Sequence, residues 1–417
     1  MSDADWISFE EARGRVLAAV SPLGTERVAL PDALGRALGR RVSALVAHPP
    51  WDNSAMDGFA VRSDDVQGAS PERPVVLPIS DDIPAGAFPR GPLEPGSAAR
   101  VMTGAPVPAD ATGVVRVEHT DGGPGRSVRI FDDADAARHI RLLGEDVEAG
   151  DTLVDRGEEV GPAALALLAT AGLREVEVGR RPRVAVLANG DELADLDEFE
   201  EVLASRRILN SNSYALAAQL AASGAEPVSL GIARDDPADL RRCLERAGDC
   251  DGIVSAAGVS VGEHDYVKQV LDELGFDRSF WRLRMRPGSA TVFGTLGGRP
   301  FWGVPGNPAS ALVTFETLVR PAVRKMAGFA RPCRRPIACV AARDVRGPRD
   351  VVSFLRVLVE TTRSGDLVAR PSGPQGSGNL VSMLADGLLE LPLGTDVVRA
   401  GERALVIPLR EWASPPG

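Results

Sequence analysis

The sequence predicts a multidomain α/β plus β protein with a parallel-rich sheet at its centre, and three observations lead there. Between about residues 182 and 275, nearly continuous apolar runs alternate with helical stretches: RPRVAVLANG, SNSYALAAQLAASG, EPVSLGIARDD, PADLRRCLERAG, CDGIVSAAG and EHDYVKQVLDELG. Strands alternating with helices of this length imply βαβ units. Between about 50 and 140 the texture differs. Short apolar runs (RPVVLPI, ARVMTG, GVVRVEH, SVRIF) are separated by Pro, Gly and Asp, the pattern of a small β-barrel-like domain. From about 330 onward, PIACVAARDV, VSFLRVLVE, DLVARPS and RALVIPL read as strands of a last β domain.

The remaining elements follow in order. Ser8-Phe9-Glu10-Glu11 has the S-x-x-E capping pattern, which predicts a helix over about 9–20. Residues 26–48 read as a strand, a short helical turn and another strand. A turn-rich stretch from 141 leads into an apolar helix within 161–173. The helix SNSYALAAQLAASG carries Ser211 or Asn212 as its expected cap. FWRLRMR, ATVFGTL and PFWGV are three further strands, followed by a helix at NPASALVTFETLVRPAVRKMAG with Pro308 in its first turn.

At 417 residues the chain exceeds one ordinary core, so several domains are expected. Forty-four Gly, thirty-two Pro and only 5% aromatics fit many tight turns. Cys243, Cys250, Cys333 and Cys339 form no C-x-x-C pair, which argues against structural zinc or a disulfide framework. The N-terminal segment is acidic where a signal peptide is basic, and no stretch approaches the ~18 apolar residues of a membrane span. A cytoplasmic protein is expected. The net charge of −11 argues against general nucleic-acid binding, though not against a local basic pocket for a small anion.

In an open α/β sheet, ligands bind at the carboxyl ends of the strands. The first such strand ends in Asn189-Gly190-Asp191-Glu192, the second in Arg234-Asp235-Asp236, and the third in SAAGVSVGEHD. Each delivers an acid to one edge. Asp235 and Asp236 can simply favour the start of a helix at Pro237, but three acids at one edge suit Mg²⁺ with substrate oxygens. GVPGNPAS (303–310) reads equally as a helix capped by Asn307 and as an anion site at a helix start. Arg282, Arg284 and Arg286 share one face of a strand by the period-two rule, either as solvent-exposed charge or as oxyanion ligands. Asp52, Asn53, Asp57 and Thr103 are polar positions where the β domain needs only turns, and turn-stabilising roles stay open for them.

Seven stretches together resemble the motifs of molybdopterin molybdenumtransferases, the MoeA and gephyrin E-domain family. They are DNSAMDGFAVR, VMTGAPVPADA, GEDVEAGD, NGDEL, GVSVGEHDYVK, RPGSATVFG and GVPGNPASA, and the resemblance runs from about residue 8 to 410. It implies a homodimer with four domains per subunit. These are a molybdopterin-binding-like α/β domain (1–26 and 178–328), a small linking domain (27–47 and 144–177), an inserted β domain (48–143) and a C-terminal β domain (329–417). The implied reaction inserts molybdenum from molybdate into adenylylated molybdopterin with Mg²⁺, releasing AMP, in the last step of molybdenum cofactor biosynthesis. Implied catalytic residues are Asp57, Asp146, Glu192, Asp235 and Asp265, of which Glu192, Asp235 and Asp265 hold the metal. Implied substrate-binding residues are Thr103, Gly258, Ser260, Gly262, Arg282, Arg286, Gly306, Asn307 and Ser377. His264 is expected on a helix surface. A molybdopterin adenylyltransferase and molybdoenzymes are the implied protein partners.

The chain departs from the family pattern. Arg282 and Arg286 stand where lysines are usual, and Arg binds oxyanions as a planar fork instead of a mobile point charge. Ser289 replaces a further lysine, followed by Ala290. Leu142 and Leu143 replace arginines ahead of GED. Asn189 replaces Thr, Ala257 replaces Gly, and Asn210 replaces an acid. Lost positive charge leaves two alternatives beside the active transferase. One is a diverged paralog acting on another oxyanion or pterin; the other is a non-catalytic molybdopterin-binding scaffold.

Overall fold

The computed structural model of the chain describes residues 6–256 and 266–410. These gather into two compact units: unit 1 contains the described residues of 6–40, 156–165, 174–256 and 266–410, and unit 2 contains 41–155 and 166–173.

Unit 1 is built on the alternating stretch, whose elements are β1 (Arg183–Asn189), α1 (Ser211–Ala222), β2 (Glu226–Ala233), α2 (Pro237–Glu245), β3 (Gly252–Ala256), α3 (Tyr266–Glu273), β4 (Asp277–Phe280), β5 (Val292–Leu296), β6 (Arg299–Val304) and α4 (Pro308–Thr314). The six strands form one sheet in the order β2-β1-β3-β6-β5-β4. β2, β1, β3 and β6 are parallel, and β5 and β4 add an antiparallel edge. β1 is covered on both faces, which is why it reads as an unbroken apolar run. Val184 and Val186 pack with Leu216 and Leu220 of α1, whereas Ala185 and Leu187 pack with Leu240 and Leu244 of α2 and Val270 and Leu271 of α3. The period-two alternation of a strand assigns its two faces to two different cores.

The N-terminal helix is Phe9–Ala18, and Ser8 Oγ accepts from Glu11 N at 3.1 Å, as the S-x-x-E pattern predicts. Phe9, Ala12 and Val16, spaced i, i+3, i+7, enter the core that also holds Val184 and Leu216. The cap of α1 corrects the sequence expectation. Neither Ser211 nor Asn212 caps it; the N-cap is Asn210, whose Oδ1 accepts from the Ser213 N–H and hydroxyl. Asn caps about as well as Asp, so the change from an acid at 210 keeps the cap and drops the charge.

FWRLRMR divides between two sheets. Phe280 ends β4, while Arg282–Arg286 joins a second sheet ordered Trp6–Ser8, Arg282–Arg286, Val352–Thr361, Leu367–Pro371, Ile337–Ala341, Arg403–Pro408, Gly387–Leu391. Gly387–Leu391 also pairs with Val352–Thr361, so the last five strands of that order close on themselves. Closure removes the free edges that would template pairing with another chain.

Unit 2 contains a five-stranded sheet in the order Gly113–Arg116, Gly58–Val61, Ala98–Val101, Val75–Ile83, Ser127–Ile130. Phe59 and Val61 enter one core with Val115 and Val128, and Ala60 enters another with Ala99 and Val114. Buried Asp135 ties this sheet to the loop that follows it. Arg116 Nε donates to its Oδ2 at 2.8 Å, and His139 Nε2 lies 3.0 Å from its Oδ1. Burial alone would raise the Asp135 pKa, but the Arg116 and His139 hydrogen bonds outweigh it and hold the group at about 2. A folded-state pKa below the unfolded one stabilises the protein above the ordinary carboxylate range, and that stability is lost as pH falls through the folded value. Between about pH 4 and about 2, Asp135→Asn should therefore show a shallower fall in the urea midpoint than wild type, read by denaturation across that window. Identical slopes would assign the acid sensitivity elsewhere.

Candidate active site

Because β2, β1 and β3 run parallel, their carboxyl ends open on one edge. A cavity of about 610 Å³ lies there, lined among others by Asn189, Glu192, Asp235, Tyr266, Asn212 and Asn307. After β1 the chain turns at Gly190 with φ +145°, a conformation side chains rarely adopt; a Cβ there would overlap the Glu192 carboxylate folded over it. Asp235 N donates to Asp191 Oδ1 at 3.3 Å, which joins the loops after β1 and β2.

The adjacent acids Asp235 and Asp236 divide the two roles that the sequence left open. Asp236 is the N-cap of α2, accepting from Asp239 N at 2.8 Å, with Pro237 at the first helical position. Asp235 faces the cavity and accepts from Tyr266 Oη at 2.6 Å. Tyr266 Oη in turn accepts from Asn189 Nδ2 at 2.7 Å. Burial, and next the bond to Asp235, push the Tyr266 phenol above its usual pKa, so it remains a proton donor to the carboxylate. Asn189 is nearly fully buried, and its Oδ1 has no partner among the described residues.

The opposite wall is the start of α4. Asn307 occupies the N-cap position, but its side chain makes no capping bond. Instead, the Ala309 N–H donates to the Ser377 carbonyl at 3.0 Å, and Asn212 Nδ2 donates to the Gly306 carbonyl at 2.6 Å. Ser377 thus touches this wall through its backbone. The strand arginines lie elsewhere in unit 1. Leu283 and Met285 are buried on one face of their strand, and the arginines take the other. Arg282 stacks over Trp6, 5.4 Å from the ring centroid. Arg286 lines a separate cavity of about 290 Å³ with Arg346, Ser353 and Gln375. Ser289 accepts from Leu283 N through its carbonyl, and Ala290 lines the larger cavity.

Asp57, Thr103 and Asp146 belong to unit 2. Asp57 Oδ1 accepts from both the N–H and the hydroxyl of Thr103, at 2.7 and 2.8 Å, and these bonds lower the Asp57 pKa. Asp146 lines a cavity of about 830 Å³ with Trp51, Asn53, Arg141 and Glu145. Gly258, Ser260, Gly262 and Asp265, with Ala257 and His264, lie outside the described residues. Among the described residues no group of three or more His, Cys, Asp or Glu is gathered for a metal. Sequence reasoning passed over Tyr266, Arg346 and Gln375. Tyr266 falls inside the stretch GVSVGEHDYVK, whereas Arg346 and Gln375 sit in no motif.

Family comparison places this geometry. Residues 7–172 match the MoeA N-terminal region (domain I and II), 185–325 a probable molybdopterin binding domain, and 338–409 the MoeA C-terminal region (domain IV). A Mycobacterium tuberculosis protein named molybdopterin molybdenumtransferase 2 is 41% identical over 386 residues, 91% of this chain and 94% of the relative. The chain belongs to the molybdopterin molybdenumtransferase family. A Nostoc family member named molybdopterin molybdenumtransferase is 37% identical over 92% of this chain and 89% of its own length. Crystal structures of Pyrococcus horikoshii molybdopterin biosynthesis MoeA protein superpose with TM-scores of 0.82 and 0.77, at 25% and 29% identity. The first covers 96% of this chain and 99% of its own, the second 98% and 100%. The family expectation and the multidomain α/β plus β fold class both hold. The 610 Å³ cavity of this family member falls within the probable molybdopterin binding domain.

The Asp235–Asp236 assignment is testable through stability alone. Asp236→Ala removes a cap and should cost about 1 kcal/mol. Asp235→Asn keeps an acceptor for Tyr266 and should stay within about 0.5 kcal/mol of wild type. Urea denaturation of both variants checks the order, and the reverse order would exchange the two roles.

Proposed function

We propose that this chain inserts molybdenum from molybdate into adenylylated molybdopterin, releasing AMP, with Glu192, Asp235 and Asp265 as its metal-binding carboxylates. The observation that carries the reading is the meeting of Glu192, Asp235 and the Asn307 helix start on one cavity in the probable molybdopterin binding domain. Relatives over nine-tenths of the chain bear the name of that activity.

The donor set suits Mg²⁺. The cation takes oxygen ligands and is commonly held by one or two carboxylates plus substrate phosphates. Glu192 and Asp235 provide two exposed carboxylates at the cavity, and Asp265 is proposed as a third. When bound, Mg²⁺ neutralises charge on the phosphate oxygens of the substrate. The chain's own groups do the rest. Tyr266 holds Asp235 in one orientation, and Asn307, whose side chain makes no capping bond, leaves its amide for the substrate. Arg286 and Arg346 supply positive charge around the 290 Å³ cavity. A homodimer is part of the same reading. Unit 2 exposes Leu45, Val46, Phe88, Leu142 and Leu143, an apolar set that a second subunit would cover.

The leucines at 142 and 143 also favour a second reading, a paralog tuned to another oxyanion, because both are more than half exposed where relatives are expected to carry arginine. One assay addresses both. Purified protein with adenylylated molybdopterin, Mg²⁺ and molybdate should release AMP, and Glu192→Gln, Asp235→Asn and Asp265→Asn should each lower the rate by ~10²-fold or more. An unchanged background rate without molybdate dependence would overturn the proposal. Tungstate outcompeting molybdate in the same assay would favour the second reading.

A further inference from the structure

We infer that the unit 2 cavity is the seat of the pterin ring, with Asn53 accepting hydrogen bonds from its aminopyrimidinone edge and Trp51 covering its face. This deepens the proposed function and rests on it, since that reading makes a pterin the substrate.

Asn53 supplies the first reason. Its backbone is fixed on both sides, paired with Arg141 in a short antiparallel ladder and bridged to Pro106. The residue is 6% exposed, and its Oδ1 is buried without a partner among the described residues. Buried polar atoms in native proteins are nearly always satisfied, so an orphaned acceptor in a cavity wall points to a donor that arrives with a ligand. Asn53 lines the 830 Å³ cavity.

The rest of the wall says which donor. Glu145 and Asp146 add carboxylate acceptors, and one Glu145 oxygen is already taken by the Leu142 N–H at 2.9 Å. Arg141 is the cationic donor among the lining residues. Trp51 is held edge to face against Phe88, with centroids 5.0 Å apart, and remains partly exposed as a stacking surface. The loop carrying these groups is pinned by Leu143 N donating to Asp52 Oδ1 at 2.7 Å and Gly144 N to the Pro49 carbonyl at 3.0 Å.

Two carboxylates stand beside a single guanidinium on this wall. A phosphate or molybdate would meet two carboxylates, and the leucines at 142 and 143 bring no charge to offset them. An adenine edge places ring acceptors beside its single amine, opposite oxygens that also accept. The aminopyrimidinone of a pterin instead presents an exocyclic amine next to a ring N–H, all donors, with a carbonyl left for Arg141. Its flat ring suits the indole.

Calorimetric titration of the full-length protein tests the assignment, with 6-hydroxymethylpterin as the probe and 6-hydroxymethyllumazine, which has oxygen in place of the 2-amino group, as its control. Wild type should bind the pterin at least tenfold more tightly than the lumazine. Asn53→Leu should lose that preference, whereas Asn53→Asp, which keeps an acceptor, should retain it. Trp51→Ala, at a partly exposed position, should weaken both probes alike, and thermal midpoints establish that each variant is folded. The inference is overturned if wild type shows no preference, if Asn53→Leu keeps it, or if AMP displaces the pterin. It is equally overturned if the preference is lost in Asn189→Leu instead. AMP release is scored separately: turnover without a pterin preference sinks this assignment alone, and a pterin preference without turnover sinks only the reaction.

Discussion

The Asp251 carboxylate holds the frame on which the unit 1 site depends. It accepts from both terminal nitrogens of Arg180, at 2.6 and 3.0 Å, and from the Arg183 N–H at 2.8 Å. Asp251 immediately precedes β3, and Arg183 begins β1, so these bonds fix the register of the two strands where they enter the sheet. Val184 then faces Gly252, and Ala188 faces Ala256. A slip of one residue would turn every side chain of β1 to the wrong core and move Asn189 out of the cavity wall. The clip is a forked, charge-assisted pair, the strongest geometry available to such groups. Towards the other end of the strands, β1 pairs with β2 across one register shift between Val186 and Leu187, after which Asn189 lies opposite Ala233 and Asp235 follows two residues later.

At that far end, neighbouring residues of the same type do different work because the backbone points them differently. Asp236 spends its carboxylate on the N–H groups of α2, while Asp235 is turned to a phenol and to open space. Asn210 and Asn307 make the same contrast with amides: the first caps α1 with its side chain, and the second sits at the start of α4 without doing so. The side chains that a helix does not consume are the ones left for a ligand.

The sheet and its acidic edge were legible because local pattern and tertiary role coincide there. Continuous apolar runs mark strands covered on both faces, and acids after such runs fall on the ligand edge whatever the details of packing. The capping signal at Ser8 was legible for the same reason. The division of FWRLRMR was not, because no glycine or proline marks the break at Trp281, and the second half is claimed by strands from 352 onward. The strand at Trp6–Ser8 and the closing pair between Val352–Thr361 and Gly387–Leu391 were equally hidden, since pairing between distant segments leaves no periodic trace. The bonding of Tyr266 to Asp235 and Asn189 joins three strand or helix ends far apart in sequence, and spacing alone cannot show it.

The turn after the arginine strand has one more consequence. Arg286 and Pro287 line the smaller unit 1 cavity, and Ala290 lines the larger one. Four residues reach at most about 14 Å when fully extended, and this segment is a tight turn whose middle is tied by Thr291 Oγ1 to the Gly288 carbonyl at 2.6 Å. So short a tether has little slack. The walls of the two cavities therefore hang from opposite ends of one small piece of backbone and share a single short support.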